Sequence, residues 1–129
     1  MAIAYWCILI AALLPYVWVA NAKFGPRYDN RDPRGWIARH ADPRVHRAYN
    51  AQLNAYEAFA PFAAGVLMAQ FAGVEPQRIA WLAIVFVVLR VLHGVFYLAD
   101  RHLLRSLVWA GALACVIALI VQAALKVAE

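Results

Sequence analysis

The run Ile79-Ala-Trp-Leu-Ala-Ile-Val-Phe-Val-Val-Leu-Arg90-Val-Leu-His93-Gly-Val-Phe-Tyr97-Leu-Ala99 decides which solvent this chain folds in. Its apolar residues continue over the roughly 20 positions that a helix needs to cross a bilayer, and they do not alternate as barrel strands do. A helix satisfies its own backbone groups, where an open strand leaves an edge bare in lipid. Arg90 and His93 interrupt the run. A charge at mid-membrane costs roughly 2.5 kcal/mol or more, so it persists where it pairs, reaches water or holds a polar ligand.

Three further apolar segments, 3–20, 48–72 and 103–125, join 79–99, and together they predict an all-α integral membrane four-helix bundle with helices at about 3–22, 44–72, 78–99 and 103–127. The breaks agree. The stretch 23–43 holds Gly25, Pro26, Pro33 and Gly35, Pro76 opens a helix after the 73–77 break, and 100–102 makes the last connection. Hydrophobic residues make up 66% of the chain and charged residues only 15%, with a mean hydropathy of +0.64, which excludes an ordinary soluble domain and a disordered chain. With no linker, repeat or low-complexity tract, residues 1–129 read as a single membrane domain.

The small residues Ala20-Asn21-Ala22 resemble a signal-peptidase site, but the preceding apolar run is longer than a usual signal core and no basic residue stands before it. The segment is therefore read as a retained first helix. Lys23, Arg27, Arg31, Arg34, Arg39, Arg44 and Arg47 lie in or beside the first connection, Arg101 and Arg105 flank the third, and the second offers only Arg78. By the positive-inside rule the first and third connections are cytoplasmic and both termini lie on the other side. A basic face attracts anionic lipid, while nucleic acid is excluded as a partner because no soluble recognition module presents it.

That topology brings the polar residues to one level. At about 100° per residue, positions 47, 50, 54 and 57 fall within roughly 80° of one another, and 90, 93 and 97 within roughly 60°. Two polar stripes at matching depth describe a lined cavity. The bland reading is that Arg47 and Arg90 pair with Glu57 while Asn54 bonds between helices, as polar residues in membrane bundles do. Against it, Asn50, Asn54, three basic groups and Tyr97 exceed what the single carboxylate Glu57 satisfies, leaving positive charge suited to an anionic ligand.

The run Arg47-Ala-Tyr-Asn50-Ala-Gln-Leu-Asn54-Ala-Tyr-Glu57-Ala-Phe-Ala-Pro61-Phe62 resembles the second-helix signature of the MAPEG superfamily, membrane-associated proteins in eicosanoid and glutathione metabolism. Arg90-Val-Leu-His93-Gly-Val-Phe-Tyr97-Leu, followed by Arg105-Ser106, is similar to the signature of the microsomal prostaglandin E synthase branch. The resemblance implies a homotrimer that binds glutathione as cosubstrate in clefts between subunits near the cytosolic face. It assigns Arg47, Asn54, Glu57, Arg90, His93 and Tyr97 to glutathione binding, Asn50 standing where many glutathione-using members carry a second arginine. Arg105 matches the arginine that stabilises the glutathione thiolate, with Ser106 beside it as a thiol hydrogen-bond donor. The chemistry is consistent, since Arg forks suit the two carboxylates of glutathione and Glu57 its ammonium, and a cation beside sulfur enriches the nucleophile. The first connection, with Tyr28-Asp29-Asn30-Arg31-Asp32-Pro33-Arg34, resembles that of bacterial members; an Asp32 to Arg34 turn pair and a substrate lid are both readings of it.

Other chemistries lack support. Cys7 and Cys115 sit in separate apolar segments without metal spacing, so no metal is predicted. His40, His46 and His102 read as interfacial, and the five tryptophans as interface anchors and packing. Three functions follow. The first is a glutathione-dependent transferase, peroxidase or isomerase acting on a small hydrophobic electrophile, with Arg105 at the thiolate. The alternative is a noncatalytic accessory or structural membrane subunit, favoured by Asn50. The third, a proton or ion relay through Glu57, Arg90 and His93, lacks a continuous route, since the polarity is confined to one half of the helices.

Overall fold

The computed structural model describes residues 2–23 and 27–129; the expected breakers Gly25 and Pro26 lie outside them. Among the described residues the chain is all helical, in the order α1 (Ala2–Lys23), α2 (Pro33–Arg39), α3 (Pro43–Phe71), α4 (Pro76–Leu98) and α5 (His102–Val127). Three of these, α1, α4 and α5, are long and apolar enough to cross a membrane. The fourth long helix, α3, has 29 residues, and Arg44, Arg47 and Glu57 make it the most polar of the four.

Local chemistry sets the starts. Prolines occupy the first positions of α2, α3 and α4, where the missing N–H has no intrahelical partner to lose. The Asp42 carboxylate accepts the Arg44 backbone N–H at 2.9 Å and caps α3. The first connection, read as an Asp32 to Arg34 turn pair or a substrate lid, contains the short helix α2. Asp32 caps α2 by accepting the Gly35 N–H at 3.2 Å and pairs with Arg39 at 3.3 Å. About two turns of helix place Arg39, not Arg34, beside the carboxylate.

The helices then pack. α1 lies against α3 and α4, α5 covers α4 and part of α3, and α2 rests on α3. In lipid the hydrophobic effect does not drive helices together, so close approach and polar links carry the assembly. Small residues allow that approach: Ala4, Ala11, Ala69, Ala83 and Ala112 are all buried. At the centre Phe62 and Phe86 stack at 3.9 Å with 7° between planes. Nearer the basic end, a Cβ on Gly94 would lie 2.1 Å from the Trp18 ring, so α1 meets α4 through an indole laid on bare backbone. The outward faces of α1 and α5 remain apolar, with Trp6 65% and Leu107 69% exposed, as lipid contact requires.

Candidate functional site

Arg90 is the most deeply placed charge, 3% exposed, and its Nη2 donates to the Asn54 Oδ1 at 2.8 Å, tying α4 to α3. That bond sits at the polar end of a cleft of about 200 Å³. Asn54, Glu57 and Pro61 of α3, with Arg90 and Phe86 of α4, line one side. Trp109, Leu113 and Val116 of α5 supply an apolar wall. Pro61 has no N–H to give the Glu57 carbonyl one turn back, so this stretch of α3 is rich in acceptors.

Glu57 is exposed within the subunit, and no ion pair joins it to Arg47 or Arg90 among the described residues. The bland expectation of two structural salt bridges is therefore not met. Helix geometry explains it: Glu57 follows Asn54 by three residues and so points about 60° away from the side that meets Arg90.

A second group lies toward the start of α5. The guanidinium carbon of Arg105 stands 4.3 Å from the centre of the Tyr97 ring, and His93 meets the same ring nearly edge-on at 5.6 Å. His93 is 2% exposed and its Nδ1 has no hydrogen-bond partner. Its place is inside the subunit, behind Tyr97, so it supports the ring rather than lining the cleft. The Nε of Arg47 is likewise buried without a partner. Asn50 and Ser106 are exposed and do not line the cleft.

The nine residues proposed from the sequence thus divide. Asn54, Glu57 and Arg90 share the cleft; His93, Tyr97 and Arg105 share a stack; Arg47, Asn50 and Ser106 stand apart. Sequence reasoning missed the apolar wall. Its signal was present, because Arg105, Trp109, Ala112 and Val116 recur at helical spacing and put the arginine one turn from the tryptophan on the same face. Among the described residues no three His, Cys, Asp or Glu side chains cluster as a metal site, and Cys7 and Cys115 are buried free thiols.

Among the described residues, an all-helical fold with three helices long and apolar enough to cross a bilayer, and a mainly apolar cleft with one polar end between them, defines a membrane protein. The family model of the MAPEG family matches residues 3–125, and the chain belongs to that family. No curated protein and no solved structure matches it.

Proposed function

We propose that this protein is a glutathione-dependent membrane enzyme, a transferase, peroxidase or isomerase, whose thiolate is held by Arg105 while a hydrophobic electrophile enters along the Trp109 wall. The observation that carries this reading is the shared cleft, where the Arg90 to Asn54 bond and Glu57 meet an apolar α5 face one turn from Arg105. Arg90 suits a glutathione carboxylate and Glu57 its ammonium. A guanidinium near sulfur favours the thiolate, which attacks the electrophile, forming a carbon–sulfur bond as the displaced group takes up the proton.

The proposed assembly is a homotrimer of four-span subunits with α3 as the fourth span, in a bacterial inner membrane with both termini on the non-cytoplasmic side. Its support is the face of α3 that carries Asn50, Leu53, Glu57, Pro61 and Met68, all exposed within one subunit. A carboxylate facing lipid there is costly, and a neighbouring copy covers it. Three copies would place each cleft at a subunit boundary. Asn50 lies on this same face, so the missing arginine of the family pattern affects what a neighbour would contribute.

The test is the thermal stability of detergent-purified protein titrated with glutathione, alongside Arg47→Ala and Glu57→Ala, because a ligand that binds the native state raises its stability. A saturable rise in wild type that both variants lose supports the thiol site, and loss of conjugation in Arg105→Ala with binding retained supports the thiolate role. No rise at millimolar glutathione, together with a stoichiometric protein partner on purification, gives the noncatalytic accessory subunit first place.

A further inference from the structure

A second cavity, of about 340 Å³, opens at the basic end of the helices and belongs to no part of the cleft. Asn21 from α1, Trp36 from α2, His40 and Asp42 from the α2–α3 connection, Arg44 from α3 and Leu98 from α4 line it. We infer that this pocket seats the headgroup of an anionic phospholipid, with Arg44 as its principal contact to phosphate.

Charge distribution is the first argument. Nine of the 12 Lys and Arg residues, with four of the seven carboxylates, stand at the end where α1 and α4 finish and α3 and α5 begin. The far end balances Glu75 and Glu129 against Arg78 and Lys126, and Arg90 and Glu57 lie between the ends, so the whole net charge of +5 belongs to the pocket's end. A cationic rim of this kind is drawn to anionic lipid headgroups.

The pocket's construction is the second argument. Its floor is apolar, since Ala22 and Val45 are buried in a small cluster that Leu98 joins, while its rim is polar, which is the gradient a phospholipid presents at the membrane surface. Trp36 spends its indole N–H on the Arg27 carbonyl at 2.9 Å, and its ring, packed on Tyr28 and His40, forms one wall of the pocket. The Arg44 side chain is 80% exposed and only loosely held by Asp42 at 3.4 Å, an exchangeable surface pair that phosphate displaces. The Asp42 carboxylate, the one anion on the rim, is occupied in capping α3. His40 accepts the Asp42 N–H at Nδ1, which leaves Nε2 as the ring's donor position.

The experiment titrates the detergent-purified full chain with dioleoylphosphatidylglycerol, dioleoylphosphatidylcholine or free glycerol 3-phosphate, reading melting temperature and tryptophan fluorescence at low and high salt. The expected result is a saturable response to the anionic lipid at least about tenfold tighter than to the neutral one and weakened by salt. Arg44→Gln should weaken it severalfold and Arg78→Gln, at the far end, should leave it unchanged. Asp42→Asn keeps a capping side chain and removes the rim's anion, so it should tighten binding, a gain that misfolding cannot imitate. Equal responses to both lipids, equal losses in Arg44→Gln and Arg78→Gln, or no tightening in Asp42→Asn each overturn the proposal. A full response to glycerol 3-phosphate also overturns it, by making the ligand a soluble phosphate ester. None of these arms depends on glutathione.

Discussion

Arg105 and Tyr97 are joined across the α4–α5 turn by a guanidinium standing 4.3 Å above the centre of a phenol ring. A cation held on an aromatic face gains from about 0.5 to 2 kcal/mol, more as water is excluded. Tyr97 therefore fixes where the positive charge of Arg105 stands, and buried His93 backs the ring at 5.6 Å.

If Arg105 is the thiolate's partner, the ring matters more than its hydroxyl. Tyr97→Phe should keep conjugation within about twofold of wild type, while Tyr97→Leu should lower kcat/KM by roughly threefold to thirtyfold. Ultraviolet absorbance of bound glutathione thiolate separates positioning from folding, because it should fall in the leucine variant alone. Equal rates in the two variants would remove the ring from the mechanism.

The Arg90 to Asn54 bond gives a stability prediction. Asn54→Leu removes the acceptor from a guanidinium that is 3% exposed, and leaving such a donor unpaired costs about 1–3 kcal/mol or more. Adding Arg90→Met should recover part of that loss, because two apolar groups replace a pair instead of orphaning one member. Melting temperatures of the two single variants and the double variant form the cycle. Additive losses would mean that the bond contributes nothing specific.

The all-α class and the membrane setting were legible because apolar runs of spanning length leave the backbone no other solution. Family membership was legible in the two polar motifs of α3 and α4. The short helix α2 was not, since the seven residues of Pro33–Arg39 carry no helical apolar repeat. Its order comes from contacts made elsewhere, the Asp32 cap and the Trp36 ring packed at 5.2 Å on Tyr28. Stripe arithmetic put Asn54 and Glu57 at the level of Arg90, and all three line one cleft. The competing reading, an Arg90 to Glu57 ion pair, is not met because Glu57 points about 60° away from Asn54, which takes the bond instead.

Gly94 shows a constraint that sequence alone hides. In the apolar run of α4 it looks like any tolerated glycine, yet an added Cβ would come within 2.1 Å of two Trp18 ring atoms. Gly94→Ala should destabilise the protein by about 1–3 kcal/mol through overpacking, and Trp18→Leu in the same chain should restore part of it. Chemical denaturation in mixed micelles reads both. Unchanged stability in Gly94→Ala would mean that α1 and α4 are not held this close.

Acid should loosen the start of α3. The backbone N–H of Arg44, followed by its side chain, holds the Asp42 carboxyl below its usual range. A folded-state value below the unfolded one means that the cap's contribution is complete above the unfolded value of about 3.9 and is lost as pH falls through the folded one. Trp36, which lines the same pocket, reports the change by fluorescence. In Asp42→Asn, whose amide caps at any pH, the acid transition should be smaller; an identical transition would place the titrating group elsewhere.

The two helix ends that need left-handed backbone make a matched pair with opposite outcomes. After α3, Gly73 has φ of +81°, with its N–H on the Gln70 carbonyl and the next N–H on that of Ala69. After α4, Asp100 takes the same role at φ of +59°, with bonds to the carbonyls of Tyr97 and Phe96. Only the second carries a Cβ, at a cost of about 1 kcal/mol in this region. Asp100→Gly should therefore stabilise the protein by up to about 1 kcal/mol, since the carboxylate it removes is unfavourable at the end of α4 and favourable at the start of α5, two effects that offset. Gly73→Ala should destabilise by a similar amount, and since nothing lies within 4 Å of the added Cβ, the loss is one of backbone alone. Paired denaturation curves test both. A loss of stability in Asp100→Gly would show that the Asp100 side chain holds the α4–α5 turn through a contact stronger than the strain, and the geometry that keeps Tyr97 beneath Arg105 would then depend on it.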